Sequence, residues 1–198
     1  MTSTSSKLTL ADFDSSSTIT HHLLPDERLF LVTHSENGKG VFSAATESLI
    51  VPCGTETVNI SPIETLVTGS KVLWLVTQKD ETERVYASAG KRCGRIGPLI
   101  ELKKGWKLDR ALSDDILLLW VESSRPNRRY RLAFLKSGSN VLDFQTNWTQ
   151  IHIGKIIVRP NRDFIIPFQR KDGVYPRGHI IFLINSESET IENYTFGQ

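Results

Sequence analysis

The sequence predicts an all-β protein, arranged as a propeller-like array of about four blades of roughly 45 residues each. Short runs rich in Val, Ile, Leu and aromatic residues recur along the chain, separated by Gly, Pro, Asn and charged residues that favour turns. Amphipathic helical patterns are scarce, and the best of them, residues 100–114, is interrupted by Gly105. The third observation is an even spacing of aromatic residues.

Four aromatic residues each occur where a strand, a polar turn and a second strand follow one another. They lie 44, 46 and 44 positions apart, and they are Phe30, Trp74, Trp120 and Phe164. The stretches FLVTHSENGKGVFSA and WLVTQKDETERVYAS, which begin at the first two, align without a gap and pair Phe42 with Tyr86. One small twisted sheet cannot bury both of its faces alone, whereas successive sheets can cover one another. We therefore expect the four aromatic side chains to fill equivalent places between neighbouring blades.

The predicted repeat units divide residues 23–198, a single domain, into 23–66, 67–110, 111–155 and 156–198. The first unit contains LFLV and GVFSA, and the second contains KVLWLVTQ and ERVYASAG. The third contains ILLLWVES, RRYRLAFLKSG and NVLDFQT, and the fourth contains DFIIPFQ, GHIIFLIN and TIENYTFG. The N-terminal segment 1–22 is a candidate closing strand for the last unit.

A jelly roll or β-sandwich is the alternative fold, because any all-β chain produces strands and turns at intervals. If the array were open, its ends would expose sheet edges, so association with a second copy is expected in that case.

Composition describes an ordinary globular chain with an uneven charge distribution. The formal net charge is +2, but residues 1–66 carry three basic and eight acidic side chains and the rest carry 21 and 14. A moderately basic half can attract an anionic partner. No run approaches the roughly 20 apolar residues that span a bilayer, and no secretory signal pattern is present, so a cytoplasmic location is expected.

No catalytic, cofactor-binding or metal-binding constellation is recognised in the sequence. Motifs of the GxSxG, P-loop and GxGxxG types do not occur. Cys53 and Cys93 form no CxxC pair, and the adjacent His21 and His22 would point to opposite faces of a strand. The expectation is a protein that is not an enzyme and holds no cofactor and no metal.

The pattern of the second and third units resembles the fungal fucose-binding lectins, the family of the orange-peel mushroom lectin. The matching segments are Glu83-Arg-Val-Tyr86 followed by Trp106, and Tyr130-Arg-Leu132 followed by Val141-Leu-Asp143 and Trp148. The resemblance implies a six-bladed propeller that binds a small sugar between adjacent blades. There, an arginine and an acidic residue bind the hydroxyls, and an aromatic ring packs on the apolar face of the sugar.

The resemblance also implies which positions would bind a glycan or glycoprotein. An arginine guanidinium donates hydrogen bonds to sugar hydroxyls from a rigid, planar group, and a carboxylate accepts hydrogen bonds from them. An aromatic ring offers apolar surface to the C–H groups of the sugar. The candidate ligand-binding residues are Arg84, Tyr86, Trp106, Arg131, Asp143 and Trp148. The arginine position becomes Gly40 in the first unit and Ile180 in the fourth. The acidic position becomes Pro98 in the second unit and Asn193 in the fourth. At most one site, on Arg131 and Asp143, retains the polar pair.

Two other functions remain open at this point. One is a protein-interaction or scaffold propeller without a sugar pocket. The other is a viral jelly-roll protein of the capsid or movement type, contacting RNA through Arg125, Arg128 and Arg129, although the basic arm of a packaging shell is missing.

Overall fold

The computed structural model confirms an all-β protein. It describes residues 13–24, 27–34, 36–88, 97–124, 127–135, 141–145, 151–161, 163–170, 179–185, 187–188 and 190–196, and no helix occurs within these ranges. The strands form four small antiparallel sheets, and in the first three the neighbouring strands follow one another along the chain.

The first two sheets are meanders of four strands. The first contains β1 (Asp14–Leu24), β2 (Glu27–His34), β3 (Gly38–Ser43) and β4 (Ser48–Gly54). The second contains β5 (Thr57–Ile63), β6 (Val72–Gln78), β7 (Glu83–Ser88) and β8 (Ile100–Glu101).

The third sheet has four strands, like the first two, and the fourth sheet has five. The third contains β9 (Lys107–Ala111), β10 (Ile116–Ser124), β11 (Asn127–Phe134) and β12 (Val141–Gln145). The fourth contains β13 (Ile151–Ile153), β14 (Ile157–Val158), β15 (Phe164–Arg170), β16 (His179–Asn185) and β17 (Thr190–Phe196). In the fourth sheet both β13 and β14 pair with β15.

The chain forms two compact units with two sheets each. The first unit comprises Met1–Glu64 and Gly69–Lys104, and the second comprises Thr65–Thr68 and Gly105–Gln198. The short segment joins the second unit through the backbone, because the Leu66 N–H donates to the Ala111 carbonyl at 3.2 Å and the Val67 N–H to the Leu112 carbonyl at 3.0 Å.

In the first unit, one face of each sheet contributes to a shared core. Core members alternate along β6, at Val72, Trp74 and Val76, because successive side chains of a strand point to opposite faces. Leu73 and Val85, which are not members of this core, are also fully buried. The first sheet contributes Leu29, Val41, Ile50 and Val51, and the second contributes Ile60, Val72, Trp74, Val76 and Tyr86.

The second unit has a core richer in aromatic residues. Tyr130 and Phe168 meet edge to face with ring centroids 5.1 Å apart, and Phe168 meets Phe182 at 5.2 Å. Such T-shaped pairs suit the ring quadrupoles. The third sheet contributes Leu112, Ile116, Leu118, Tyr130, Leu132 and Phe134, and the fourth contributes Phe164, Ile166, Phe168, Phe182 and Ile184.

The local alignment of the first two repeats is confirmed by strand register. Phe30 lies opposite Phe42 in the first sheet, and Trp74 lies opposite Tyr86 in the second. The third sheet repeats this pairing with Trp120 opposite Tyr130.

The expectation that the four aromatic residues occupy equivalent places is wrong. Trp74 faces the core of the first unit, whereas Phe30 lies between the core-facing Leu29 and Leu31 and therefore points to the other face of its sheet. In the second unit, by contrast, Trp120 packs against the same core as Phe164. Phe30 therefore faces away from the second sheet, whereas Trp120 faces towards the fourth sheet.

The sheets begin earlier in the chain than the predicted repeat units. The cause is that β5 and β9, the first strands of the second and third sheets, are mixed polar segments, TVNISPI and KLDRA, without a long apolar run. Of the N-terminal segment, the described part of β1 pairs with β2 in the first sheet. The fourth sheet is completed by its own strand β17, and residues 1–12 lie outside the described ranges.

Candidate functional site

Arg84 and Tyr86 lie on the same face of β7 but have different surroundings. The Arg84 Nε donates to Glu101 Oε2 at 2.8 Å, with both side chains partly open to solvent. Tyr86 is 6% exposed and belongs to the core of the first unit. Arg84 is therefore reachable by a ligand, and the Tyr86 ring contributes to packing between the two sheets.

Arg131 lies on the face of β11 opposite the core, because its neighbours Tyr130 and Leu132 both point inward. Its guanidinium carbon is 4.3 Å from the centroid of the Trp106 ring, a cation–π contact. Strand register places Asp143 directly opposite Arg131. Trp106 is only 8% exposed, so the ring that Arg131 covers has little surface left for a ligand. Trp148 lies outside the described residues.

The two candidate arginines do not occupy the same structural position. Arg84 lies two residues before Tyr86, and the residue at the same distance before Tyr130 is Arg128. Arg131 follows Tyr130 and therefore lies on the other face of its sheet. In the first sheet the equivalent position is Gly40, where a Cβ atom would come within 2.7 Å of the Val51 carbonyl oxygen.

Two of the candidate RNA-binding arginines, Arg128 and Arg129, lie on β11 close to the hairpin that joins it to β10. Register places Glu122 opposite Arg128 and Val121 opposite Arg129. Arg125 lies outside the described residues. An acidic residue therefore shares this hairpin with the arginines.

A polar cleft lies in the second unit, where β15 and β17 begin and β16 ends. Its volume is about 190 Å³, and its apolar lining comes from Phe164, Leu183 and Ile184. We name it the Asp163 cleft after its most buried charged residue. Its polar lining residues are Arg159, Asp163, Asn185, Thr190 and Glu192.

Asp163 is 9% exposed and is held by two asparagines. Its Oδ2 accepts hydrogen bonds from Asn161 Nδ2 at 2.6 Å and from Asn185 Nδ2 at 3.3 Å. The backbone N–H of Arg159 donates to the Asp163 carbonyl at 2.8 Å. A buried carboxylate needs such donors, and these bonds fix its position at the floor of the cleft.

Asn185 connects this floor to the turn between β16 and β17. Its Oδ1 accepts from the backbone N–H of Glu187 at 3.1 Å and from that of Ser188 at 2.7 Å. The Ser188 hydroxyl also lies 2.7 Å from Thr190 Oγ1. One amide side chain thus positions both the acidic floor and the hydroxyl at the rim.

Glu192 borders the cleft on β17 and is exposed. Its Oε2 accepts from the Tyr194 hydroxyl at 3.0 Å. This hydrogen bond and the nearby carboxylate charge raise the pKa of Tyr194. The second carboxylate oxygen keeps its own acceptor positions.

The sequence analysis missed this cleft. Its residues are spread over 34 positions and are brought together because β14, β15, β16 and β17 lie side by side. The available signal was the segment Arg159-Pro-Asn-Arg-Asp163 before one strand and Asn185 at the end of the next. Asn and Asp in such places form side-chain turns.

Other types of site find little support in the described ranges. Within them, no cluster of three or more His, Cys, Asp and Glu residues could hold a metal ion, and no helix could span a membrane. Burial raises the pKa of the Cys53 thiol, which disfavours the reactive thiolate. No family model and no curated protein matches this chain.

Proposed function

We propose that the chain is a non-catalytic carbohydrate-binding module and that it holds a small sugar in the Asp163 cleft. The observation that carries this proposal is the lining itself: an arginine, two carboxylates, an amide and a hydroxyl, beside a small apolar area from Phe164, Leu183 and Ile184. A glycan or glycoprotein is the expected partner.

The lining suits a ligand with many hydroxyl groups. A sugar hydroxyl both donates and accepts, so it can accept from the Arg159 guanidinium and donate to a carboxylate. The guanidinium is a planar fork of donors that can hold neighbouring hydroxyls in one orientation. Leu183, half-buried beside these polar groups, offers apolar surface to the C–H groups of the ring.

The cleft brings together in the fourth sheet the arginine and carboxylates that the resemblance assigned to the second and third, with Leu183 in place of an exposed aromatic ring. Arg131 and Asp143 remain a second candidate position, since register places them opposite one another. Arg159 differs from Arg131 in being exposed, with a guanidinium that makes no ion pair to any acid in the described part of the chain. We therefore propose Arg159 as the principal donor.

A glycan array with three arginine variants tests the proposal. Arg159→Ala removes the donor in the cleft, Arg131→Ala removes the second candidate, and Arg28→Ala, at an exposed arginine of the first unit, is the matched control. We expect the parent to bind at least one glycan without hydrolysing it, and Arg159→Ala to weaken that binding about tenfold or more, as expected for losing a charged hydrogen bond. The Arg28→Ala control should bind as the parent does.

Two results would contradict the proposal. One is a parent protein that binds no glycan on the array. The other is an Arg159→Ala variant that binds as well as the parent while Arg131→Ala does not, which would move the site to the third sheet.

We also propose that the four sheets are successive blades of a propeller-like array. Support comes from the sheets themselves, since all four are small and antiparallel and the first three are meanders of consecutive strands. Trp120 faces the fourth sheet, whereas Phe30, at the corresponding position of the first unit, faces away from the second sheet. The blades of the second unit are therefore not simple copies of those in the first. Small-angle scattering that fits a two-layer sandwich and not a disc would contradict this arrangement.

A further inference from the structure

We infer that the sugar bound in the Asp163 cleft is an amino sugar whose amine is free and positively charged. This inference rests on the proposed sugar-binding function and adds a charge to the ligand. It follows from the excess of acidic groups in the cleft and from their arrangement across the fourth sheet.

The cleft and its surroundings carry net negative charge. Among the lining residues, Asp163 and Glu192 oppose the single cation Arg159. Glu187, exposed in the turn that Asn185 holds, adds another carboxylate. Two further charged residues lie close by in the sequence, Arg162 beside Asp163 and Glu189 beside Thr190. Their charges have opposite signs, so the net charge of these residues remains negative. A neutral sugar gains nothing from this field, and an acidic sugar is repelled by it.

The charges are also separated across the sheet. Arg159 follows β14, which pairs with β15, whereas Glu192 belongs to β17, which pairs with β16. The cation and the exposed carboxylate therefore come from opposite sides of the β15–β16 pair. A ligand with an ammonium group at one end and hydroxyl groups at the other matches this order.

Glu192 is well suited to receive an ammonium group. The Tyr194 hydroxyl donates to one of its oxygens and so orients the carboxylate on β17. An ammonium group has three donors and no acceptor, so a carboxylate can bind it whereas the Arg159 guanidinium cannot. Arg159 is then left to donate to the ring hydroxyls, and Thr190 Oγ1 offers a further polar contact at the rim.

Three sugars that differ at one substituent test this inference. Glucosamine, glucose and N-acetylglucosamine share one ring and carry an ammonium, a hydroxyl and an acetamide group at the same carbon. Titrations of the full chain with each, followed by ligand-observed NMR, compare their affinities at low and high salt. We expect glucosamine to bind about three- to fivefold more tightly than glucose at low salt, the size of one exposed charge pair, and to lose that advantage at high salt.

Glu192→Gln is the diagnostic variant, because it removes the charge and keeps the side-chain shape. It should reduce glucosamine binding to the level that glucose shows with the same variant, and it should weaken glucose, which forms no charge pair with Glu192, by a smaller factor. Glu64→Gln, which removes an exposed carboxylate from the first unit, is the matched control and should change neither affinity.

The outcomes separate this inference from the function on which it rests. If glucose binds as tightly as glucosamine, or if Glu192→Gln leaves the preference intact, the inference is overturned and the sugar-binding function stands. If none of the three sugars binds and the glycan array is empty as well, the proposed function is overturned together with the inference.

Discussion

How much each aromatic side chain contributes to the stability of the fold depends on which face of its sheet it lies on. Phe164 and Trp74 are each 1% exposed and lie in the cores of their units. Phe30 is half-buried on the opposite face of its sheet, where Phe42 packs against Phe13 with ring centroids 5.7 Å apart and ring planes tilted by 54°. Even spacing along the chain therefore does not make the burial of these residues equal.

Phe164→Ala and Phe30→Ala, the same substitution at two of the evenly spaced positions, should differ in cost. We expect Phe164→Ala to lower the free energy of unfolding by about 3–5 kcal/mol, because it leaves a cavity in the second core. Phe30→Ala, at a half-buried site, should cost about half as much. Urea unfolding followed by tryptophan fluorescence measures both, and equal losses would contradict the difference in environment.

The sequence identified hairpin pairs more reliably than site residues. Phe30 with Phe42 and Trp74 with Tyr86 follow from a gapless alignment because a short hairpin fixes its own register. The partner of Arg84, by contrast, is Glu101, which lies 17 positions away on β8, beyond a segment that the repeat pattern did not resolve. The Asp163 cleft was beyond the sequence for the same reason, since it depends on the pairing of four strands.

At the level of elements, the turn between β16 and β17 is organised by one side chain. Asn185 accepts from the backbone N–H groups of Glu187 and Ser188 and donates to Asp163. Side-chain acceptors of this kind replace backbone partners that a tight turn lacks. The turn and the cleft therefore depend on the same residue.

Asn185→Ala should destabilise the second unit by about 1–2 kcal/mol, because it removes an acceptor from two turn N–H groups and a donor from a buried carboxylate. It should also weaken sugar binding in the cleft. Thermal unfolding and sugar titration measure the two effects. Asn193→Ala, at an exposed asparagine of the adjacent strand β17, is the control, and an Asn185→Ala variant that matches it in both assays would refute this role of the turn.

The first strands of the sheets show what sequence patterns overlook. TVNISPI and KLDRA form β5 and β9, yet neither carries the apolar run that marks β6 or β10. Outer strands of a sheet contact one neighbour only, and fewer of their side chains are buried, so polar residues and a proline are tolerated there. The central strands could be predicted, whereas the outer strands β5 and β9 required the structure.

At the scale of the whole molecule, each unit has its own apolar core. The first core lies between the first and second sheets and the second core lies between the third and fourth. Composition and strand pattern predicted the all-β class, but they described a single domain of equivalent repeats. Which face of each sheet is buried depends on how neighbouring sheets pack against one another. The spacing of the aromatic residues along the chain does not determine it.

Separate cores should be visible in hydrogen exchange. In the Phe164→Ala variant, we expect faster amide exchange in β10, β11, β15 and β16, whose side chains form the second core. Exchange in β3, β6 and β7 should stay as slow as in the parent. Mass spectrometry of proteolytic peptides measures this, and an equal acceleration in both units would show that their stability is shared.

A crystal of the full chain soaked with glucosamine tests the central claim most directly, because it locates the ligand without assuming which residues bind it. The account predicts density for one sugar ring in the Asp163 cleft, with hydroxyl groups near the Arg159 guanidinium and the amine near the Glu192 carboxylate. Density beside Arg131 and Trp106 with an empty Asp163 cleft, or no bound sugar at any concentration, would contradict it.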